Sequence, residues 1–144
     1  MLEIISYYAN FHTLALFFAA LVLGAMMFFA AVVTPTVFRA LPDGPRTQYL
    51  SALFPVYYRN LAFLSILAGG FIWYRAESYW LWAVAVLFLF ADIVLRPLIE
   101  KYRAGRDAGD AAAKRTFGLL HRASVLINLA QMGIMIVVFF RLAV

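Results

Sequence analysis

Asp92 lies in the apolar run that opens at Leu81, and Arg96 follows four residues later. On a helix that spacing puts both side chains on one face, and Pro97 disturbs the backbone beside them. In lipid, an ionisable side chain is a functional-site hypothesis by default. A second set of polar groups sits on a later apolar run: His121, Ser124, Asn128 and Gln131, with Met135 continuing the spacing. These positions follow the i, i+3, i+7 rule of one helix face. A third set, Arg59 and Asn60, falls near the start of another apolar run.

Two kinds of chemistry suit these residues. One is a brace, in which Asp92 pairs with Arg96 or Arg59 while His121 and Asn128 hydrogen-bond across helices. Such contacts contribute about 0.6–2 kcal/mol each and need no ligand. The other is a small pocket for an anion, a proton or a polar solute. Arg59 and Arg96 would supply charge and His121 an imidazole able to exchange protons. The residue types leave both open.

The elements that must position these groups are membrane helices. The chain has 144 residues, 66% hydrophobic and 13% charged, with a mean hydropathy of +0.89. Soluble domains are about half apolar and about a quarter charged. Cysteine is absent, which excludes disulfides, thiolate metal sites and thiol catalysis. The formal charge of +5 does not point to nucleic acid, because the basic residues fall between apolar runs. The start of the chain lacks a basic n-region, and its first apolar run is too long for a removable signal.

Four spans are expected, near 11–34, 55–74, 79–97 and 117–141, in one domain covering 1–144. Thr34-Pro35 predicts a bend or end to the first span. Ala20 and Gly24 have the small-xxx-small spacing of a close helix approach. Leu41-Pro-Asp-Gly-Pro45 is turn chemistry, with Asp43 as a helix cap, and Tyr49 to Phe54 reads as an interfacial helix. Pro55 either opens the second span or kinks a longer helix begun at Pro45. Ser65, Gly69 and Gly70 give that span a small face. Glu100 to Lys114 reads as the solvated connection, and Asp110 as the cap of the last helix.

With four spans, the first and third loops share a side. That side holds ten of the twelve Lys+Arg; Arg75 and Arg141 are the other two. The positive-inside rule then puts the loops in the cytoplasm and both termini outside. The expected fold is therefore an all-α four-helix transmembrane bundle, multi-pass in a bacterial inner membrane. Counting residues at about 1.5 Å each places Arg59, Asn60, Asp92, Arg96, His121, Ser124 and Asn128 together in its cytoplasmic half.

Cofactor chemistry finds little to work with. His12 and His121 fall at opposite ends of the bilayer, roughly 20–25 Å apart at 1.5 Å per residue, so they cannot share one haem within a subunit. Met26, Met27, Met132 and Met135 are soft donors for Cu(I), but their depths differ, and methionine as core filler fits better. No metal site is predicted, and haem or copper stands only as an alternative. HExxH, GxSxG, P-loop and GxGxxG motifs are all missing, so no catalytic residue is assigned.

Several motifs resemble the transmembrane protein 205-like family. They are Gly24-x10-Pro35, Val37-Phe38-Arg39-x-Leu41-Pro42, Leu53-Phe54-Pro55-x-Tyr57-Tyr58 and Phe117-x2-Leu120-His121-x2-Ser124-x3-Asn128. The resemblance implies four membrane helices and no established reaction. It assigns structural weight to Gly24, Pro35, Phe38, Phe54, Pro55 and Tyr57. A more distant likeness reaches the copper-resistance D-like membrane proteins, some of which are haem-dependent. Those relatives carry a helix-one histidine much nearer the proline than His12 is here. The function expected is a transport or accessory component of the membrane. Alternatives are a copper- or haem-handling redox protein and a helper subunit of a larger complex. The expected partners are the bilayer and a homo-oligomer or larger assembly.

Overall fold

A computed structural model describes residues 2–144, and their side chains apart from those at 2, 4, 5 and 8. The chain is all-α, 92% helical, with four helices long and apolar enough to span a membrane. These spans are Ala9–Ala40, Asp43–Phe71, Glu77–Asp107 and Ala111–Ala143. They run up and down in sequence order, each packed beside the next, and the fourth returns to the first. The loops at 41–42 and 108–110 share one end, called the basic end below. Both termini and the turn at 72–76 share the other, called the terminal end.

Spans 1 and 3 are built on one plan. Span 1 runs through α1 (Leu2–Phe28) from Ala9, a π-helical turn (Phe29–Val33) and α2 (Thr34–Ala40). Span 3 comprises α4 (Glu77–Phe90), a π-helical turn (Ala91–Leu95) and α5 (Arg96–Asp107). A proline follows each wide turn by two residues, Pro35 and Pro97. In an α-helix its ring would strike the carbonyl four residues back, Ala31 or Ile93. The wider turn relieves that clash. The N–H of Thr34 bonds to the oxygen of Phe29, and that of Arg96 to Ala91, each five residues back. Neither proline therefore ends its span, and both helices run on beyond the expected bounds of 34 and 97.

Span 2 is a single helix, α3 (Asp43–Phe71), passing straight through Pro55. The expected interfacial segment is its first turns. Its cap is Pro42, not Asp43, which instead pairs with Arg46 inside the first turn. Span 4 is α6 (Ala111–Ala143). Here the expected cap is found: Asp110 Oδ1 accepts from the N–H of Ala112 at 2.8 Å and of Ala113 at 3.2 Å. Gly109, with φ of 90°, makes the reversal from α5 that a side chain would disfavour.

The core is thickest toward the terminal end. Ala15, Ala19, Val22 and Met26 of α1 meet Ala68 of α3, Leu81, Val84, Ala85 and Phe88 of α4, and Met135, Val138 and Leu142 of α6. The close approach made by a glycine is at Gly69, where an added Cβ would run into the indole of Trp82. The expected approach at Ala20 and Gly24 is not formed. Gly24 is exposed, with nothing within 4 Å of where its Cβ would stand. Span 1 packs through Ala15, Ala19, Val22 and Met26, a different face of the same helix.

Candidate functional site

Asp92 sits in the π-turn of span 3 with its side chain 2% exposed. Its Oδ2 accepts from Nε of Arg59 on α3 at 2.7 Å, and its Oδ1 from Nε of Arg96 at 3.1 Å. Arg96 also reaches Glu100 at 3.3 Å. One carboxylate thus holds two guanidinium groups, one of them from the neighbouring span. Arg59 stays 66% exposed, so it lies along the bundle surface with its head tied inward. A buried carboxylate survives only when paired in this way.

An aromatic layer lies beside this triad. Phe29 of span 1 packs on Tyr57 with centroids 4.5 Å apart. Tyr58 stacks on Phe54 at 5.5 Å and tilts against Phe88 at 6.3 Å. Ser124 of α6 is within hydrogen-bonding reach of the Tyr58 hydroxyl. The Tyr57 hydroxyl is buried and has no hydrogen-bond partner among the described residues.

The polar residues expected to converge do so in part. Asp92, Arg59 and Arg96 come together, and Ser124 stands next to them through Tyr58. Asn128 is half-buried about one turn deeper. Two members do not join. Asn60 is exposed and donates to the carbonyl of Val56 on its own helix at 2.7 Å. His121 is exposed and stacks on Phe117 of its own helix. Arg106 lies over the other partner in that stack, 4.4 Å from the Phe117 centroid. Among the motif residues, Phe38 is exposed under the guanidinium of Arg46, 4.5 Å from its centroid. Phe54, Pro55 and Tyr57 are half-buried on the side of α3 that meets span 1.

His121 and Asn128 are seven residues apart and so share a helix face, yet one is exposed and the other half-buried. The reason lies in how the bundle is packed. On α6 the buried positions are Ala113 in the first turn and then Gln131, Met135, Val138 and Leu142; from Lys114 to Ala130 none is buried. On span 1, none is buried from Met27 to Thr36. Span 1 remains against span 2 through Phe29 and Tyr57. Span 4 remains against span 3 along α5. What opens is the fourth side of the bundle, between spans 1 and 4. Phe29, Tyr57, Tyr58, Ser124 and Asn128 stand along this side, between the packed core and the basic end. Deeper in the bundle, Gln131 donates to the carbonyl of Val84 at 3.2 Å.

A second polar network, at the terminal end, was not foreseen. Glu77 is buried and accepts from Nε of Arg75 at 3.2 Å, and its other oxygen lies 3.3 Å from Nε of Arg141. Arg75 in turn reaches Nδ1 of His12 at 3.4 Å, and Nε2 of His12 lies 2.7 Å from the carbonyl oxygen of Leu142. Spans 1 and 4 and the turn between spans 2 and 3 are locked together there. The signal was present: Glu77 is the acid nearest the two basic residues that escape the basic end. Both ring nitrogens of His12 face protein partners, so it offers no free donor for a metal. Among the described residues, no three His, Cys, Asp or Glu side chains gather as a group that would hold a metal ion.

No curated protein and no solved structure matches the chain. One family model does match, over residues 17–108, which take in most of the first span, the second and third spans and the whole Asp92–Arg59–Arg96 triad. The chain therefore belongs to the family described as a domain of unknown function, DUF4149.

Proposed function

We propose that this protein is a small multi-pass protein of a bacterial inner membrane that works as a transport or accessory component through a crevice between spans 1 and 4. The excess of Lys and Arg at the basic end supports an orientation with that end in the cytoplasm and both termini outside. The crevice then opens from the cytoplasmic side. Asp92 is its brace: the carboxylate is neutralised by two arginines and leaves no free charge to the crevice. What remains there is neutral and hydrogen-bonding, namely the hydroxyl of Ser124 and the amide of Asn128, beside aromatic rings. Such a lining suits a small uncharged amphipathic molecule that hydrogen-bonds at one edge. The likeness to the transmembrane protein 205-like family agrees with this reading and adds no reaction to it. The haem and copper alternative draws no support from His12, which is engaged on both sides. A 16.2 kDa bundle has little room for an internal path. A homo-oligomer or a larger complex is therefore part of the proposal.

The observation that carries the reading is the loss of burial on both facing spans, from Met27 to Thr36 on one and from Lys114 to Ala130 on the other. Spin labels in lipid nanodiscs test it. A pair at Val33 and Leu120 spans the crevice, and a pair at Ala20 and Ile134 spans the closed half. The proposal expects the first distance to be longer and broader than the second. Equal, narrow distributions would mean a bundle closed along its whole length.

A further inference from the structure

Toward the basic end, every carboxylate is already engaged. Asp43 pairs with Arg46, Asp92 with Arg59 and Arg96, Glu100 with Arg96, and Asp107 with Arg106. Asp110 caps α6. Arg39, Lys101 and Arg103 have no ion pair among the described residues, and neither do Lys114, Arg115 and Arg122, which stand together on α6. Together with Ala111, Gly118 and Leu119 these last three line a shallow cleft of about 460 Å³ on the outer face of α6. Nothing lies within 4 Å of where a Gly118 Cβ would stand, so the floor of the cleft is open.

The cleft leads directly onto hydrocarbon-facing surface. Arg115, Leu119, Arg122 and Leu126 follow i, i+4, i+7, i+11 along one helix face. Leu119 is 61% exposed, Leu126 66% and Leu129 53%. Unpaired cations thus stand immediately above a strip of exposed leucines. That order, anion-binding head and apolar tail, matches a lipid and not a soluble anion. We propose that this cleft binds the phosphate of an anionic phospholipid, with its acyl chain lying along Leu126 and Leu129. Arg115 and Arg122, one turn above and one turn below Gly118, give the phosphate charge-assisted hydrogen bonds from two guanidinium forks. Lys114 adds a third charge at the rim. The site is separate from the crevice and does not depend on it.

Titration of the full chain in neutral detergent tests this, with bound lipid read by native mass spectrometry. The probes are phosphatidylglycerol, phosphatidylcholine and inorganic phosphate. Phosphatidylglycerol is expected to bind at least about tenfold more tightly than phosphatidylcholine, from roughly 1 kcal/mol per basic residue. The double variant Arg115→Gln/Arg122→Gln should lose that preference. Gly118→Leu should lose it too, because it fills the cleft while keeping every charge. The control Arg39→Gln/Lys101→Gln removes as much charge outside the cleft and should bind as the unaltered chain does. Loss of the same size in that control would show diffuse attraction and overturn the site. So would undiminished binding by Gly118→Leu, which alone decides if the double variant does not fold. Displacement of the lipid by an equal concentration of inorganic phosphate would overturn the lipid as ligand.

Discussion

Asp92 and Arg59 meet across spans 2 and 3 at 2.7 Å, and the two partners live in different surroundings: the carboxylate is 2% exposed and the guanidinium 66%. The pair is therefore unequal in what its loss costs. Removing Asp92 leaves two guanidinium groups facing a buried position. Removing Arg59 leaves a carboxylate still held by Arg96. Asp92→Asn should lower stability by about 3 kcal/mol, at the lower end for a broken buried pair. Arg59→Gln should cost less than about 1 kcal/mol, as expected of a largely exposed partner. Unfolding in mixed detergent, followed by helical circular dichroism, measures both.

Of the glycines read as small packing positions, Gly24 and Gly69 should behave differently: the first against the expectation, the second with it. Gly24→Ala meets no neighbour and gains helix propensity, so it should be neutral or stabilise by up to about 1 kcal/mol. Gly69→Ala drives a methyl into Trp82 and should cost about 1–3 kcal/mol. The tryptophan emission of Gly69→Ala should change as the indole is displaced.

At the terminal end, His12→Ala removes the contact to the carbonyl of Leu142 and the acceptor for Arg75. Hydrogen exchange in the last turn of α6 should then accelerate, while exchange around Asp92 stays unchanged. Glu77→Gln should loosen the same turn further, since it releases Arg75 and Arg141 together.

Asp110→Ala should cost about 1 kcal/mol and fray the first turn of α6, because two backbone N–H groups lose their acceptor. Faster exchange at Ala112 and Ala113 is the measurement.

Much of this architecture was legible in the sequence, for identifiable reasons. Span number follows from hydropathy, and the cap at Asp110 from its place before an apolar helix. The Asp92–Arg96 pair follows from i, i+4 geometry. Pro35 and Pro97 do disturb the helices, as their spacing suggests, but neither ends its span. The π-turn that absorbs each ring is a response of the whole helix, with no residue type of its own. His121 did mislead. Its face was assigned correctly, but a face is buried only where a neighbour stands opposite. Span 1 has moved away by that level, and no periodicity within α6 records it. The network at Glu77 and His12 was not foreseen because it is closed by partners far away in sequence, Arg141 for Glu77 and Leu142 for His12.

The proposed crevice between spans 1 and 4 should admit water from the basic end only. The chain has no native cysteine, so single cysteines report cleanly. Asn128→Cys and, as the closed-half control, Val138→Cys are exposed to a membrane-impermeant maleimide in inverted vesicles and in intact spheroplasts. The account predicts labelling of Asn128→Cys in inverted vesicles alone, and no labelling of Val138→Cys in either. Labelling of Asn128→Cys from the spheroplast exterior, or from neither side, would contradict it.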